Sequence, residues 1–366
     1  MNTLADKKIK LLLSLNNSKI SGIESFTLRL ITNIRNDNID ITVAVPYPGQ
    51  ICEELNKLNI KYYIFNKPNN KPYSFYGIFK LFFYFIRNRF DIVHAQAGIV
   101  PCILGKLFGS KLVIEHKHGL DFTKEQINNM KGYSLFYNKI KKYFVDLTLT
   151  VCENDRKILV NSFKYNDIKV KTIYDGIEKQ IDIKSSYEFT NNIIIGSIGR
   201  LTFQKGHEYL IKMTKVVSEK YSDILVYIYG QGENYNYYSN LIKKEKLENN
   251  VFLKGYCKSI KKELKNMDIF VLPSLYEGIP YIIIEAMSMG LPIITTNVGG
   301  ISEILHDKQN CLFAQKEDEF DLAKKTIMLI ENHSLREKIG IEASKVNDKF
   351  KIENTLKQIE SIYYTI

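Results

Sequence analysis

Cysteine, proline and long apolar runs are all scarce in this sequence. Its five cysteines, Cys52, Cys102, Cys152, Cys257 and Cys311, stand singly. Without a close pair they offer neither a zinc site nor a disulfide framework, and such usage suits a reducing compartment. Only 8 prolines, with 45% hydrophobic and 25% charged residues, exclude a disordered chain. No uninterrupted apolar run reaches the roughly 18 residues that a spanning helix needs. The N-terminal "KKIKLLLSLNN" has a short apolar core and no small-residue cleavage site after it. A first buried strand is expected there rather than a signal peptide, and the cytoplasm is the expected location.

At 366 residues the chain exceeds one ordinary domain core, so two domains are expected. The net charge of +11 is unevenly placed. Residues 1–180 hold 27 Lys and Arg against 16 Asp and Glu, a net of +11, whereas residues 181–366 hold 24 of each. A block of this kind points to a polyanionic partner: acidic lipid, nucleic acid or a phosphorylated substrate. Lysines that merely solubilise the surface are the alternative.

Short β-branched runs alternate with helical patterns throughout. Strands are expected at 9–15, 41–45, 60–65, 91–94, 111–116 and 147–151, and again at 193–199, 224–229, 251–253, 269–272, 292–295 and 311–313. Amphipathic stretches such as 22–34 and 51–58 fall between them. Strands apolar nearly throughout and separated by helices imply parallel sheets covered on both faces. Two such series imply an α/β chain of two doubly wound domains in tandem. The boundary is expected at the polar stretch 175–192, dividing the chain into 1–178 and 179–345. The amphipathic segment 346–366 would either cap the second domain or return to the first. Ligands of open parallel sheets bind beyond the carboxyl ends of the strands, so an interdomain cleft is the expected site.

The chemistry-bearing motifs follow strands. After 193–199 comes "GRLTFQKGHEYL", with Arg200 and Lys205 ahead of a helix starting near Gly206. Two cations beside a helix N-terminus suit a diphosphate; two solvated loop cations are the alternative. "GQG" at 230–232 resembles part of a phosphate-binding turn and equally a plain strand-to-helix turn. In "SGIESFTLRL", Gly22 could let backbone approach a phosphate, or simply open a helix. "TNVGGISEIL" at 296–305 offers another phosphate-compatible helix start, or a tight turn. "EHKHG" places His116 and His118 on one strand face with no third metal ligand in sight, so a polar contact from His118 to a ligand is preferred. Finally, "PSLYEG" ends the strand at 269–272, and a buried helix is expected over 280–289, stopped by Gly290. Glu277 precedes that helix and Glu285 lies inside it. At this offset the two carboxylates could hold different parts of one elongated, hydroxyl-rich ligand. A Glu285 paired with a lysine or backbone amide is the alternative.

Together these residues resemble the retaining glycosyltransferases of family 4, with the GT-B fold of two facing Rossmann-like domains. The resemblance covers the chain and is strongest from 193 to 313. Its most specific signature is the spacing Glu277-x7-Glu285 within "YEGIPYIIIEAMSMGLPII". "SGIE", "RNRFDIVHAQ", "EHKHG" and "VCENDRKIL" look like the corresponding segments of the first half. The chain departs from the pattern in having Ser21-Gly22 where a Gly-Gly pair is frequent, and Asp175 where an asparagine is usual.

The resemblance implies the roles. Glu277 would contact the donor-sugar hydroxyls and His118 the reacting sugar, as the catalytic residues. Gly22, Arg200 and Lys205 would hold the nucleotide diphosphate, with the segment Gly278, Ile279, Pro280 and Tyr281 nearby at the helix start, whose backbone N–H groups (proline has none) would add donors, and Glu285 on the ribose. Cations and amides can stabilise a pyrophosphate leaving group without metal, and the chain has no Asp-x-Asp pair to hold one. No cofactor and no metal are therefore expected. The donor is a nucleotide-diphosphate sugar; the acceptor is a hydroxyl of a glycan or lipid-linked molecule in bacterial surface polysaccharide or lipopolysaccharide synthesis. A sugar-nucleotide epimerase on the same fold and a non-catalytic binding module are the rival classes. The aromatic stretch 73–90, with Lys80, Arg87 and Arg89, could rest on an anionic membrane surface or be a buried helix. Nucleic acid is not an expected partner.

Overall fold

The structure is a computed structural model that describes residues 8–34, 38–68, 71, 73–120, 126, 129, 139–178, 183–257, 259–345 and 350–366. The chain divides into two compact units, Met1–Gly176 with Ile352–Ile366, and Ile177–Lys351. Part of the expected boundary stretch (179–182) and of the expected last segment (346–349) lies outside the described residues.

The first unit is a parallel sheet of β1 (Ile9–Ser14), β2 (Ile39–Val45), β3 (Lys61–Ile64), β4 (Ile92–Ala95), β5 (Leu112–Lys117), β6 (Leu147–Thr150) and β7 (Val170–Thr172). The strand order is β3-β2-β1-β4-β5-β6-β7. This is the doubly wound pattern, in which the order reverses beside β1. Helices α1 (Gly22–Ile34), α2 (Gln50–Lys57), α3 (Phe75–Arg87), α4 (Val100–Leu107) and α5 (Glu153–Asn161) connect the strands. Leu11, Leu12 and Leu13 of β1 are all buried, as a central strand covered on both faces requires.

The second unit repeats the design with β8 (Ile193–Ile198), β9 (Ile224–Tyr229), β10 (Val251–Gly255), β11 (Ile269–Leu272), β12 (Ile293–Thr296) and β13 (Leu312–Ala314), ordered β10-β9-β8-β11-β12-β13. Its helices are α6 (His207–Ser218), α7 (Tyr235–Lys244), α8 (Ile260–Lys265), α9 (Tyr281–Ser288), α10 (Glu319–Glu331) and α11 (His333–Ser344). Every strand expected from the sequence is present within two residues. β7 was not foreseen, because its Val-Lys-Thr sequence holds a single apolar residue. No described helix is long and apolar enough to cross a membrane.

After the second unit, α12 (Ile352–Tyr363) packs against α1 of the first unit. Ile352, Leu356, Ile359, Ile362 and Tyr363 are its buried apolar residues. The Tyr363 hydroxyl meets His94 Nδ1 on β4 at 2.5 Å, so the helix is tied to the sheet by both packing and a buried polar contact. Removing a fully buried aromatic side chain costs about 3–5 kcal/mol. Tyr363→Ala should therefore lower the urea midpoint of the first unit's transition, whereas Tyr363→Phe, which keeps the ring, should lower it far less.

Candidate functional site

In the second unit the candidate residues lie in the loops that follow β8, β11 and β12, three neighbouring strands of the sheet. These loops touch backbone to backbone. A Cβ on Gly206 (φ 65°) would stand 2.0 Å from the Pro273 carbonyl oxygen, and one on Gly299 (φ 59°) 1.7 Å from that of Glu277. Only glycine fits both the left-handed backbone and that approach. Gly300 N–H then donates to Gly278 O at 3.0 Å, and in the "GQG" turn Gln231 O accepts from Leu201 N–H at 3.0 Å. Both glycine motifs thus serve to close these loops on one another.

Held in this way, the Glu277 carboxylate is almost buried. Its Oε1 lies 2.5 Å from Lys205 Nζ and accepts from Ser274 Oγ at 2.7 Å. Gln204 Nε2 donates to Tyr276 O at 3.0 Å and lies 3.5 Å from Glu277 Oε2. Arg200 Nη2, on an exposed side chain, donates to Gln204 Oε1 at 3.0 Å. A buried carboxylate is tolerable when a cation and further donors meet it, and here two donors do so at close range. Next to Lys205, His207 is fully buried, and burial, reinforced by the Lys205 charge, lowers its pKa to about 4. It is therefore neutral at pH 7.

The helix expected over 280–289 runs from Tyr281 to Ser288. Pro280 stands just outside it, because its extended ψ of 128° is not helical; its carbonyl still accepts from Ile283 N–H at 3.0 Å. Gly278 and Ile279 are buried, whereas Pro280 and Tyr281 are partly exposed. Ile282, Ile283, Ile284, Ala286 and Met287 are buried, and Gly290 (φ 72°) follows the helix end. Glu285 is half-buried on this apolar helix. The Cys257 thiol has its pKa pushed up to about 11, first by burial, then by the charge of Glu263 and to a smaller extent by that of Glu285.

In the first unit, "SGIE" opens α1. Glu24 accepts from Ser21 N–H at 3.0 Å and from the Ser21 hydroxyl, the carboxylate half of a capping box, with Gly22 exposed beside it. His118, just after β5, lies with its Nδ1 3.0 Å from Asp175 Oδ2 and its Nε2 2.7 Å from Gln96 Oε1. Because a carboxylate only accepts, Nδ1 carries the proton of that bond. With the Gln96 carbonyl facing it, Nε2 is placed to donate as well. Turning the Gln96 amide over would let a neutral Nε2 accept instead.

His116 stacks on His118 at 4.1 Å between ring centroids, and His94 stacks on His116 at 5.4 Å. Phe26 of α1 meets the rings of His116 and His118 edge-on. Burial, with the His118 charge adding, lowers His94 to about 3 and His116 well below its ordinary value. The third acidic or imidazole group that the strand alone could not offer comes from elsewhere in the chain. Ligand atoms of His116, His118 and Asp175 lie within 4.8 Å of one another. The Asp175 carboxylate is engaged with His118 by a hydrogen bond, which a metal would have to displace.

Two family models match the chain: glycosyltransferase family 4 over residues 20–180 and glycosyl transferases group 1 over residues 178–346. Together they span most of it. The chain belongs to this family of glycosyltransferases. It is 35% identical over 232 residues to an uncharacterized glycosyltransferase of Methanocaldococcus jannaschii, a match covering 59% of this chain and 57% of that relative. It is 26% identical to the UDP-Gal:alpha-D-GlcNAc-diphosphoundecaprenol alpha-1,3-galactosyltransferase of Escherichia coli, over 82% of this chain and 80% of the relative. Among solved structures it resembles Anabaena HepE in complex with UDP and glucose, with a TM-score of 0.82 at 18% identity, over 98% of this chain and 100% of that one. The fold is thus GT-B. The named activities among these relatives are transfers, which leaves the epimerase reading without support.

Within this glycosyltransferase, the structure brings Arg200, Lys205 and Glu277 into one network. It adds Gln204 and Ser274, which sequence reasoning passed over because small polar loop residues carry no pattern. It likewise adds Gln96 and Asp175 to His118. Lys205, expected on a diphosphate, is paired with Glu277. A histidine kept neutral by burial holds fewer protons folded than unfolded below pH 6.5. It therefore contributes stability that is full above that pH and is lost as pH falls toward the folded value. For His94 the gap amounts to about 2 kcal/mol at pH 5, with His116 adding in the same direction. Urea unfolding of the first unit should need distinctly less denaturant at pH 5 than at pH 7. An unchanged midpoint would mean that these rings are charged in the folded state.

Proposed function

We propose that the protein moves a sugar from a nucleotide-diphosphate sugar to a hydroxyl of a glycan or lipid-linked acceptor, with retention of anomeric configuration. The setting is the assembly of a bacterial surface polysaccharide, lipopolysaccharide or capsule. The observation that carries this reading is the Lys205–Glu277–Gln204–Arg200 network at the start of α9. It sets a carboxylate able to grip sugar hydroxyls beside cations able to neutralise a diphosphate. The family resemblance assigns Glu277 to the donor-sugar hydroxyls, Glu285 to the ribose, and Arg200, Lys205, Gly22 and the N–H groups of Gly278, Ile279 and Tyr281 beside Pro280 to the diphosphate. It assigns His118 to the reacting sugar. A lipid-linked acceptor is favoured by the name of the Escherichia coli relative, whose acceptor is a diphosphoundecaprenol.

In the proposed reaction an acceptor oxygen bonds to the anomeric carbon on the face from which the phosphate oxygen departs. The acceptor's proton passes to that departing oxygen. The leaving diphosphate gains charge as the bond breaks, and Lys205 and Arg200 stabilise it without a metal. Lys205 must then serve two anions, Glu277 and the diphosphate. That sharing is the reason for a lysine here, since a flexible ammonium with three donors can bridge both. Chelators should leave the rate unchanged.

Glu277→Ala is the decisive variant. It should lower kcat/KM for transfer by about 100-fold or more, the scale of losing a transition-state contact. Binding of the preferred nucleoside diphosphate, read by thermal shift across a panel, should hold or tighten, because Lys205 is released from its partner. Lys205→Ala should weaken both. If Glu277→Ala weakened diphosphate binding as much as transfer, the sugar role given to Glu277 would be wrong. Retention is tested separately: NMR of the product should show the donor's anomeric configuration, and the inverted anomer would overturn front-face attack.

A further inference from the structure

α3 carries two apolar faces where a helix on a sheet needs one. Gly77, Leu81 and Phe85 are buried toward the unit's core. On the opposite side Phe75 is 89% exposed, Phe79 55%, Ile86 49% and Phe83 41%, flanked by exposed Tyr76 and Ile78. At 100° per residue, Phe75, Phe79, Phe83 and Ile86 fall on one stripe. Neighbouring elements expose apolar residues as well. α4, which packs against α3, exposes Leu107, and the turn Lys141–Phe144 that packs on α4 exposes Tyr143.

Charge says what covers this face. Between Glu54 and Asp91 the chain carries seven Lys and Arg and no acid. Lys57 and Lys61 are paired with Glu54 and Asp40. Among the described residues Lys67, Lys71, Lys80, Arg87 and Arg89 meet no carboxylate. Lys67 and Lys80 instead stand 5.0 and 5.8 Å from the Tyr76 ring centroid, so cations border the aromatic stripe directly. A second copy of the chain laid on the same face would bring two sets of unpaired cations together. A surface that is apolar in depth and anionic at its rim has neither defect. That is the interface of a membrane rich in acidic lipid, where aromatic side chains enter the headgroup boundary and lysines stay at its edge.

We propose that the exposed face of α3 docks the first unit on an anionic lipid bilayer, lying in the plane of the interface. The docking adds to the proposed function by bringing the enzyme to a lipid-linked acceptor, and it rests on that reading for its purpose alone.

The test uses the full chain and co-sedimentation with vesicles of phosphatidylglycerol mixed with phosphatidylcholine, against vesicles of phosphatidylcholine alone. At low salt the protein should bind the anionic vesicles about tenfold more tightly than the neutral ones. Phe75→Ser/Phe79→Ser/Phe83→Ser should weaken that binding by about tenfold. The same variant should keep the wild-type thermal melt and nucleoside diphosphate binding, since these side chains are already in water. Lys67→Gln/Lys80→Gln/Arg87→Gln should remove the preference for anionic lipid. Wild-type protein that stays in the supernatant at low salt would overturn the proposal, as would an aromatic variant that binds undiminished. Gel filtration showing a dimer that only the aromatic variant breaks, with no vesicle binding, would assign the face to self-association instead. None of these readouts involves sugar transfer, so a failure here leaves the transferase reading intact, and a failed transfer assay leaves the docking measurable.

Discussion

The second unit's site depends on one requirement: a nearly buried carboxylate, Glu277, must have a cation. Lys205 supplies it at 2.5 Å and Ser274 adds a hydroxyl donor. For the two side chains to meet, the loops after β8 and β11 have to approach more closely than side chains allow. Gly206 makes room for that approach against the Pro273 carbonyl, and Gly299, in the loop after β12, lets that loop close on the Glu277 carbonyl, each glycine in a left-handed conformation. The helix start, the ion pair and the glycines are therefore one device. A Cβ at either glycine would separate the loops, and an ion pair stretched in a poorly solvated site loses its attraction while keeping the desolvation cost.

The first unit solves a different problem with the same materials. Three imidazoles stacked in a buried row cannot all be charged, and burial keeps His94 and His116 neutral. Asp175 stands against two rings of the row, with Oδ2 3.0 Å from His118 Nδ1 and Oδ1 3.9 Å from His116 Nε2. α12 contributes to the same arrangement, since Tyr363 engages His94 at the closed end.

The strands were legible because central strands of a doubly wound sheet are buried on both faces and so read as unbroken β-branched runs. Only β7 was missed, because Val170-Lys171-Thr172 holds a single apolar residue, whereas the equally short β13 reads Leu-Phe-Ala. The Glu277-x7-Glu285 spacing was legible because both residues belong to one local strand-loop-helix unit. Partnerships across long stretches of chain were not. Lys205 and Glu277 are 72 residues apart, and His118 and Asp175 are 57 apart. Such pairs follow from which strand ends lie side by side, and a local pattern does not encode that order. For this reason Lys205 looked like a diphosphate ligand alone, and "EHKHG" appeared to want a third polar partner.

The uneven charge of the chain takes on meaning beside this local chemistry. Residues 181–366 hold as many acids as bases, yet they contain the residues suited to a dianionic diphosphate. Under the proposed function a balanced surface would suffice there, because a positioned lysine, an arginine and backbone amides would act on a diphosphate within a few ångströms, where net charge matters little. The whole excess of +11 lies in residues 1–180, where it cannot be explained by the donor. A long-range field is useful against an extended anionic surface, whose charges are many and whose position is not fixed. The exposed aromatic face of α3 sits among these unpaired cations, and the two features together describe a surface made for contact with something both acidic and oily.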